Sequence, residues 1–376
     1  YQHRHWRDLL FPMRSAAVIA LLIALISMGE ACKVPVFRYA LERWESDAYR
    51  AVILYRGADL KSSVEVLAAP LVNAPANLEV ELINVADLTE EQKWQIDDVD
   101  VVGKIPQLRL HYPHGSNIEA PLWEGPLDTT SVSRVIDSPI RTQLVDAILK
   151  GSSTTWILLQ CGDASRDAAA ETRLRALLDT VTASLTIPEG VVRADEVTAE
   201  GTTKDGQPLE MDDVLRTEIP LKIHFPIFTL SRETPAESIF IKMLEHFGGK
   251  PDEPVAIPVF GRGRALEGIP ASALSKASIS GACDYLCGEC SCQVKDENPG
   301  LDLLLAVDWN AKLEGTSFIV ERALPALSGF GVAEPSASQK ASSSAESHSP
   351  LPKVLVLTLG GILAVTLLGT YLIARR

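Results

Sequence analysis

The sequence lacks the motifs that mark several large enzyme classes. It contains no Walker phosphate loop, no Gly-x-Ser-x-Gly nucleophile elbow, no His-Glu-x-x-His zinc motif and no glycine fingerprint of a dinucleotide-binding domain. Basic residues are also few, since 35 Lys and Arg face 49 Asp and Glu for a net charge of −14. Such an acidic surface repels nucleic acid and anionic lipid headgroups, so we expect no nucleic-acid partner.

The first 31 residues have the pattern of a secretory signal peptide, with Met13 as the expected start. Arg14 is followed by an apolar run at 16–26, which is too short to span a bilayer, and small residues stand at −3 and −1 before Cys32. Cleavage at that point would leave Cys32 first and would allow lipidation of its thiol. The residues at −3 and −2 fit a lipobox poorly, so we favour ordinary cleavage.

The other end of the chain has the pattern of a membrane anchor. Residues 354–374 carry no charge and are numerous enough to cross the hydrocarbon core as a transmembrane helix. The Arg375-Arg376 pair that follows favours a cytoplasmic C-terminus. Residues 333–353 are rich in Ser, Ala and Pro, which predicts a flexible linker. The sequence therefore predicts a single-pass membrane protein whose body is extracytoplasmic.

The body shows one order of predicted elements twice: strand, helix, strand, helix, hairpin, helix. In the first half the strands are predicted at 50–57, 78–87, 104–113 and 120–127, and the first and last helices at 59–72 and 138–151. The second half opens with a strand at 154–160 and a helix at 165–185, and it has a polar, looped insertion at 187–217. The repeated order predicts two α/β domains, at 32–151 and 152–332.

This order resembles the thioredoxin-like fold superfamily. Pro106 and Pro254 each stand before a predicted strand where that fold has its cis-proline. The resemblance implies two thioredoxin-like domains, each a central mixed sheet with flanking helices, followed by the C-terminal transmembrane helix.

Three phrases are similar to recurrent phrases of uncharacterised, membrane-anchored bacterial envelope proteins. They are CKVPVFRYALERW (32–44), CSCQVKDENPG (290–300) and DLLLAVDW (302–309). This resemblance implies an exported protein of the bacterial cell membrane, with its body in the periplasm, and it brings no known activity.

The site of a thioredoxin dithiol is incomplete in both halves. The family places Cys-x-x-Cys directly after the first strand, at a helix N-terminus whose dipole stabilises the thiolate. The first half has no cysteine there. The second half has Cys161, but Ala164 occupies the position of the resolving cysteine. A lone thiol could form a mixed disulfide, yet a half-buried structural cysteine is the simpler interpretation, and neither half is predicted to be a working thioredoxin.

Four of the six cysteines, Cys283, Cys287, Cys290 and Cys292, lie within ten residues. Local disulfides, a metal site and redox exchange are all compatible with their spacing. The cluster follows the last helix of the second half, so the redox mechanism of the family does not transfer to it. The Cys283-x3-Cys287 pair is also similar to the copper-delivery branch of that fold, for which His224 and His246 would be distant candidate ligands.

Two short stretches predict local structure. Arg262 and Arg264, in FGRGR, could meet a carboxylate or phosphate, but a solvated hairpin tip is the simpler interpretation. The stretch TPAESIF predicts a helix start in which Thr234 is the cap and Glu237 completes a capping box.

Together these patterns predict a membrane-tethered extracytoplasmic binding or assembly module on degenerate thioredoxin-like domains. Its expected partner is another envelope or membrane protein. The alternative is thiol-disulfide exchange, or copper or zinc handling, through the Cys283–Cys292 cluster. No catalytic residue is predicted, and the only candidate cofactor is a metal at that cluster.

Overall fold

The computed structural model describes most of the body of the chain. The described residues are 32–89, 92, 106–198, 202–206, 209–291 and 293–314. Two units divide the chain, Tyr1–Arg322 and Ala323–Arg376, and every described residue lies in the first. The predicted signal peptide, the linker and the 354–374 segment lie outside the described residues. None of the helices within the described ranges is long and apolar enough to span a bilayer.

The first half contains a four-stranded mixed sheet. Its elements, in chain order after strand β1 (Cys32–Pro35) and helix α1 (Val36–Arg43), are β2 (Tyr49–Tyr55), α2 (Lys61–Val72), β3 (Leu78–Asn84), β4 (Gln107–His111), β5 (Trp123–Pro126), α3 (Thr129–Ile136) and α4 (Pro139–Leu149). The strand order is β3-β2-β4-β5. Strands β2 and β3 are parallel, whereas β4 runs antiparallel to β2 and to β5.

The second half contains a second, six-stranded mixed sheet. Its elements are β6 (Thr155–Gln160), α5 (Ala164–Thr182), β7 (Ile227–Ser231), α6 (Ser238–Glu245), β8 (Val255–Phe260), β9 (Arg264–Ala265), β10 (Ile269–Pro270), α7 (Lys276–Cys287), β11 (Glu289–Cys290), β12 (Leu301–Asp302) and α8 (Trp309–Glu314). The main path is β12-β9-β8-β6-β7, and β10 pairs with β8. Strands β6 and β7 are parallel, and β8 is antiparallel to β6.

Local sequence explains where the helices α3 and α4 begin. Asp128 caps α3 by accepting a hydrogen bond from the Ser131 amide at 2.7 Å. Ser138 caps α4 in the same way, with Pro139 at the first helical position, where its missing N–H costs nothing. Within the insertion predicted at 187–217, the described residues form short 3₁₀ turns and two isolated β-bridges. The prediction of a mixed α/β body is confirmed.

One hydrophobic core is shared by the two halves. Ile53 and Leu110 of the first sheet belong to the same buried cluster as Ile257 of the second sheet and Phe240 of α6. The opposite face of the second sheet is covered by a separate cluster that includes residues of α5 and α7. Burial of this apolar area stabilises the halves as one body.

Glu237 connects the halves instead of completing the predicted capping box. The Thr234 side chain makes no capping hydrogen bond. The buried carboxylate of Glu237 accepts hydrogen bonds from the Ser138 hydroxyl and from the Ile140 amide, the latter at 2.9 Å. The prediction of a local box was therefore wrong, because Glu237 faces the interior and satisfies the N-terminus of α4.

Candidate functional site

The loop after β6 is the segment in which the sequence resemblance predicts the position of a dithiol. Cys161 is half-buried and free there, and Asp163 caps α5 by accepting from the amides of Ser165 and Arg166 at 3.0 Å. The buried Asp167 carboxylate turns back and accepts from the Cys161 amide at 2.8 Å and from the Gly162 amide at 3.1 Å. These backbone donors are thus already satisfied by an anion, which makes the loop a poor site for a catalytic thiolate.

The corresponding loop of the first half holds no sulfur. Gly57 follows β2 with φ of +96°, a conformation that disfavours other residues, and its amide donates to the Asn84 side chain at 3.0 Å. Both loops are therefore fixed by side chains from neighbouring segments, and neither offers a thiol pair.

Three of the other cysteines meet at the opposite end of the second half, in a cluster that we call the cysteine junction. It comprises β1, α1 and β11, with Cys287 at the end of α7. Strands β1 and β11 pair antiparallel, and Cys32 lies directly opposite Cys290. The Val36 amide donates to the Gly288 carbonyl at 3.1 Å and continues this pairing. The sequence analysis did not connect Cys32 to the cluster.

Cys32 is buried at the cysteine junction, with 4% of its surface exposed. Its thiol donates to the Asp212 carbonyl at 3.0 Å, and the Lys33 amide donates to the Asp213 carboxylate at 2.6 Å. Burial raises the pKa of the Cys32 thiol above its ordinary value. In this conformation a lipid on the Cys32 sulfur would have to displace β1 from its neighbours.

Cys283 and Cys287 lie one turn apart on the buried face of α7. Burial is the main reason that the pKa of each thiol is raised to about 12; Cys287 raises the pKa of Cys283 further, and Asp284 raises both. Both are free thiols within a continuous helix. A local bond between them would require the helix to unwind, and burial disfavours the thiolate form of each. Cys292 lies outside the described residues.

The two candidate histidine ligands have other surroundings. The Nδ1 atom of His224 lies 3.1 Å from the Ser152 hydroxyl, and the His246 ring lies 5.2 Å from the ring of Tyr112. Burial lowers the pKa of both histidines. Across the described ranges, no group of three or more His, Cys, Asp or Glu side chains is arranged to hold a metal ion.

The predicted solvated hairpin tip is instead an interior contact. Arg264 is buried, and its guanidinium lies 3.2 Å from the Asp302 carboxylate. Asp302 also lies 2.6 Å from the Lys295 ammonium, which in turn lies 2.7 Å from Asp47. The tip expectation for Arg262 and Arg264 was wrong, because α1 packs on this turn and the Arg262 Nε donates to the Leu41 carbonyl at 2.9 Å.

The three phrases singled out in the sequence, at 32–44, 290–300 and 302–309, are joined by hydrogen bonds in the fold. From the first phrase, the Trp44 indole donates to the Gln293 carbonyl of the second phrase at 3.0 Å. Asp302, the first residue of the third phrase, accepts from Lys295 of the second phrase and from the Asp47 amide, which lies close after the first phrase. These three stretches therefore form one structural region. It consists of the cysteine junction and an adjoining charged cluster of Asp47, Arg264, Lys295 and Asp302.

Two clefts open on the described surface near polar side chains. One, of about 830 Å³, is lined by residues that include Asp47, His246 and Arg264. Another, of about 630 Å³, lies against the first sheet and includes Arg50 and Arg109. Both arginines have carboxylate neighbours, Glu81 and Glu124, each 3.5 Å away. Neither cleft has a thiol among its described lining residues, so the cysteines and the open clefts are separate features.

The family-model comparison and the comparison with curated proteins both return no match for this chain. Two features of the site were not predicted from the sequence, the role of Asp167 and the position of Cys32 opposite Cys290. Asp167 could have been suspected from its place in the first turn of the predicted helix at 165–185, where a carboxylate can reach back to loop amides. No local signal indicates that Cys32 lies opposite Cys290, since the two are far apart in the sequence.

Proposed function

We propose that this chain is a membrane-tethered binding or assembly module of the bacterial envelope, built on two degenerate thioredoxin-like halves. Its partner is another envelope or membrane protein. The observation that carries the proposal is the Cys161 loop, where the resolving position is Ala164 and the amides of Cys161 and Gly162 are held by Asp167. A fold can lose its catalytic residues and still bind a partner through its surface.

The thioredoxin-like assignment is supported by the same arrangement in both halves. In each half, a parallel strand-helix-strand unit is followed by an antiparallel strand pairing in a single mixed sheet. Pro106 directly precedes β4, and Pro254 directly precedes β8, the strands that follow the crossover in each half. These are the positions that the resemblance requires.

The tether is part of the proposal. A helix at 354–374 would confine the body to the membrane surface, and the 333–353 linker would allow it to search for a partner there. Confinement raises the effective concentration of two proteins on one membrane, so modest intrinsic affinity suffices for assembly. Protease added to spheroplasts should then digest the body, and protection of the body would overturn the predicted topology.

For the partner-binding surface we propose α2, on the basis of its exposed apolar side chains. Three of the five large exposed hydrophobic residues in the described part lie in or beside α2: Leu60, Val66 and Val72. Val66 is 73% exposed, whereas Val294, an exposed valine remote in sequence, is 54% exposed. A charge at Val66 would oppose apolar contact without disturbing the core.

Affinity capture of the full chain from its own bacterium in mild detergent tests the proposal. We expect one membrane or envelope protein in stoichiometric amounts, with recovery reduced by Val66→Asp and unaffected by the matched control Val294→Asp. A chain that elutes alone under several such conditions would contradict the binding function. A captured partner insensitive to Val66→Asp would keep the function and exclude the α2 surface.

The alternative function, thiol-disulfide exchange or metal handling at Cys283–Cys292, rests on the density of cysteines. Against it stand the burial of Cys283 and Cys287 and their raised pKa values. Metal analysis of the full chain, purified without chelator, tests the metal option. Copper or zinc bound at one equivalent and lost on paired Cys→Ser changes in that cluster would favour the alternative.

A further inference from the structure

The pairing of β1 with β11 places two cysteines from distant parts of the chain side by side. Cys32 and Cys290 are direct partners in this antiparallel pair, and the register shifts only after them, toward Pro35 and Glu289. Directly opposite residues in antiparallel strands have Cα atoms about 4.5 to 5.5 Å apart. Disulfides form across Cα separations of roughly 4.4 to 6.8 Å, so the pair lies within bonding range.

The two side chains also share one buried environment. Cys32 and Cys290 belong to the same apolar cluster, together with Val34, Phe260 and Leu286. Opposite residues of an antiparallel pair point to the same face of the ribbon. Tyr39 of α1 lies close enough to both cysteines for each to raise the pKa of its hydroxyl, although burial is the main cause.

Cys287 shares this apolar cluster, but it ends a helix and is not a direct strand partner of Cys32 or Cys290. Cys283 and Cys287 are held in a helix that continues through Cys287. Cys283 faces the cluster of Trp156 and Leu158 on the second sheet, whereas Cys287 belongs to the cysteine junction. Cys161 lies in the loop after β6, among none of these residues.

We propose that Cys32 and Cys290 form a long-range disulfide that joins the N-terminal strand to the cysteine-rich segment. The structure describes the reduced form, in which the Cys32 thiol donates to the Asp212 carbonyl. Oxidation needs a disulfide oxidant, which oxidised glutathione represents in the test below. One cysteine thiolate attacks the glutathione disulfide and releases one reduced glutathione. The second cysteine then displaces the other glutathione, so two thiols lose two protons and two electrons in total.

The bond would close a loop from Cys32 to Cys290 that contains the first half and the second half as far as β11. Such a long cross-link restricts the unfolded chain strongly, so its effect on stability is expected to be large. It would also consume the sulfur that lipidation of Cys32 needs, so the two modifications exclude each other. Because buried thiols exchange slowly, we expect the bond to form during folding and to resist reduction in the folded protein.

Refolding of the reduced full chain in detergent with a glutathione redox buffer tests the pairing directly. Cleavage after glutamate separates Cys32, in a peptide that ends at Glu42, from Cys290 and Cys292, in the peptide 290–297. It also separates that peptide from Cys283 and Cys287, because Glu289 lies between them. We expect a linked pair of peptides whose fragmentation assigns the sulfur of Cys290, and the link should disappear on reduction.

Variants and melting curves complete the test. Cys292→Ser and Cys161→Ser should keep the linked peptides, whereas Cys32→Ser and Cys290→Ser should lose them. The oxidised protein should melt about 10 °C higher than the reduced protein, and Cys32→Ser should abolish that difference. A Cys32 that remains alkylatable after oxidation, or a local bond among Cys287, Cys290 and Cys292 in its place, would overturn the proposal.

The protein isolated from its own bacterium without reductant provides the second arm. We expect the same linked peptides, and a lipid thioether on Cys32 would overturn the proposal. The refolding arm does not depend on cellular location or on a partner. A bond that forms on refolding but is absent from the isolated protein would contradict the proposed compartment, and it would show that this disulfide is not a feature of the native protein.

Discussion

Two regions of the molecule carry thiols in opposite environments. Cys161 is half-exposed and alone, at the place where the proposed thioredoxin-like fold would have a reactive pair. The cysteine junction and α7 hold several thiols, but they are buried, and the pKa of Cys283 and of Cys287 is raised to about 12. Among the described cysteines, the thiol with the most exposed position is thus single, and the clustered thiols are buried. A dense cysteine motif therefore marks a reactive site only where the thiolate is stabilised.

The largest expected effect comes from the charged cluster that supports the cysteine junction. Asp302 is buried between Arg264 and Lys295 and also accepts from the Asp47 amide at 2.7 Å. Asp302→Asn removes the buried anion between these two cations and leaves them the partly exposed Asp47 carboxylate, so we expect a loss of about 3 kcal/mol of unfolding free energy. Denaturant unfolding measures this loss.

The exposed residue Asp179 on α5 supplies the matched control for that measurement. Asp179→Asn should change the unfolding free energy by less than about 0.5 kcal/mol. Equal effects of Asp302→Asn and Asp179→Asn would contradict the role of the charged cluster as the support of the junction.

A smaller effect is expected at the Cys161 loop. Asp167→Ala removes the acceptor for the amides of Cys161 and Gly162, which costs about 2 kcal/mol of unfolding free energy. The loss of a nearby negative charge should also speed alkylation of Cys161, which thiol labelling of the folded protein would measure. The unfolding free energy of Asp167→Asn, which keeps an acceptor oxygen, should lie between those of wild type and Asp167→Ala. A labelling rate that is unchanged in both variants would contradict the electrostatic argument.

The buried thiols of α7 should make stability depend on alkaline pH. The pKa of Cys283 and of Cys287 is about 12 in the folded protein against an ordinary value of 9.0. The unfolded chain therefore loses these protons first. Their contribution to stability is complete below pH 9 and is lost as pH rises toward 12, by about 1 kcal/mol per pH unit for each thiol.

Unfolding curves from pH 8 to 11 test this slope, with Cys283→Ala and Cys287→Ala as the comparison proteins. The variants should be less stable than wild type at pH 8, and the difference should narrow above pH 9. A difference that stays constant over this range would mean that the two thiols do not titrate differently in the folded and unfolded chains.

Much of the local structure could be predicted from the sequence. The helix predicted at 138–151 is present as α4, because Ser138 and Pro139 form a strong local start signal. The strand predicted at 154–160 is present as β6, whose buried apolar run contains Trp156 to Leu159. Periodicity and capping act over a few residues, and such signals can be recognised along the chain.

The site could be predicted only in part, because its key contacts join distant segments. Arg264 lies in a glycine-rich turn, which from the sequence alone predicts a solvated residue. In the fold, Asp302 of another strand lies next to it. Glu237 fits a local capping box, yet its carboxylate satisfies α4 in the other half. The pairing of Cys32 with Cys290 depends on the strand register across the whole body. None of these contacts corresponds to a periodic pattern in the sequence.

The most direct test of the account is the thiol-disulfide exchange activity of the full chain in detergent. Reduction of insulin disulfides by a dithiol donor would be followed for wild type, Cys161→Ser and the quadruple Cys→Ser variant of 283, 287, 290 and 292. We expect wild type to give no turnover above the donor alone, and both variants to behave the same. Turnover by wild type that is lost on removing Cys161 or the four clustered cysteines would contradict the account and assign the protein an enzymatic function.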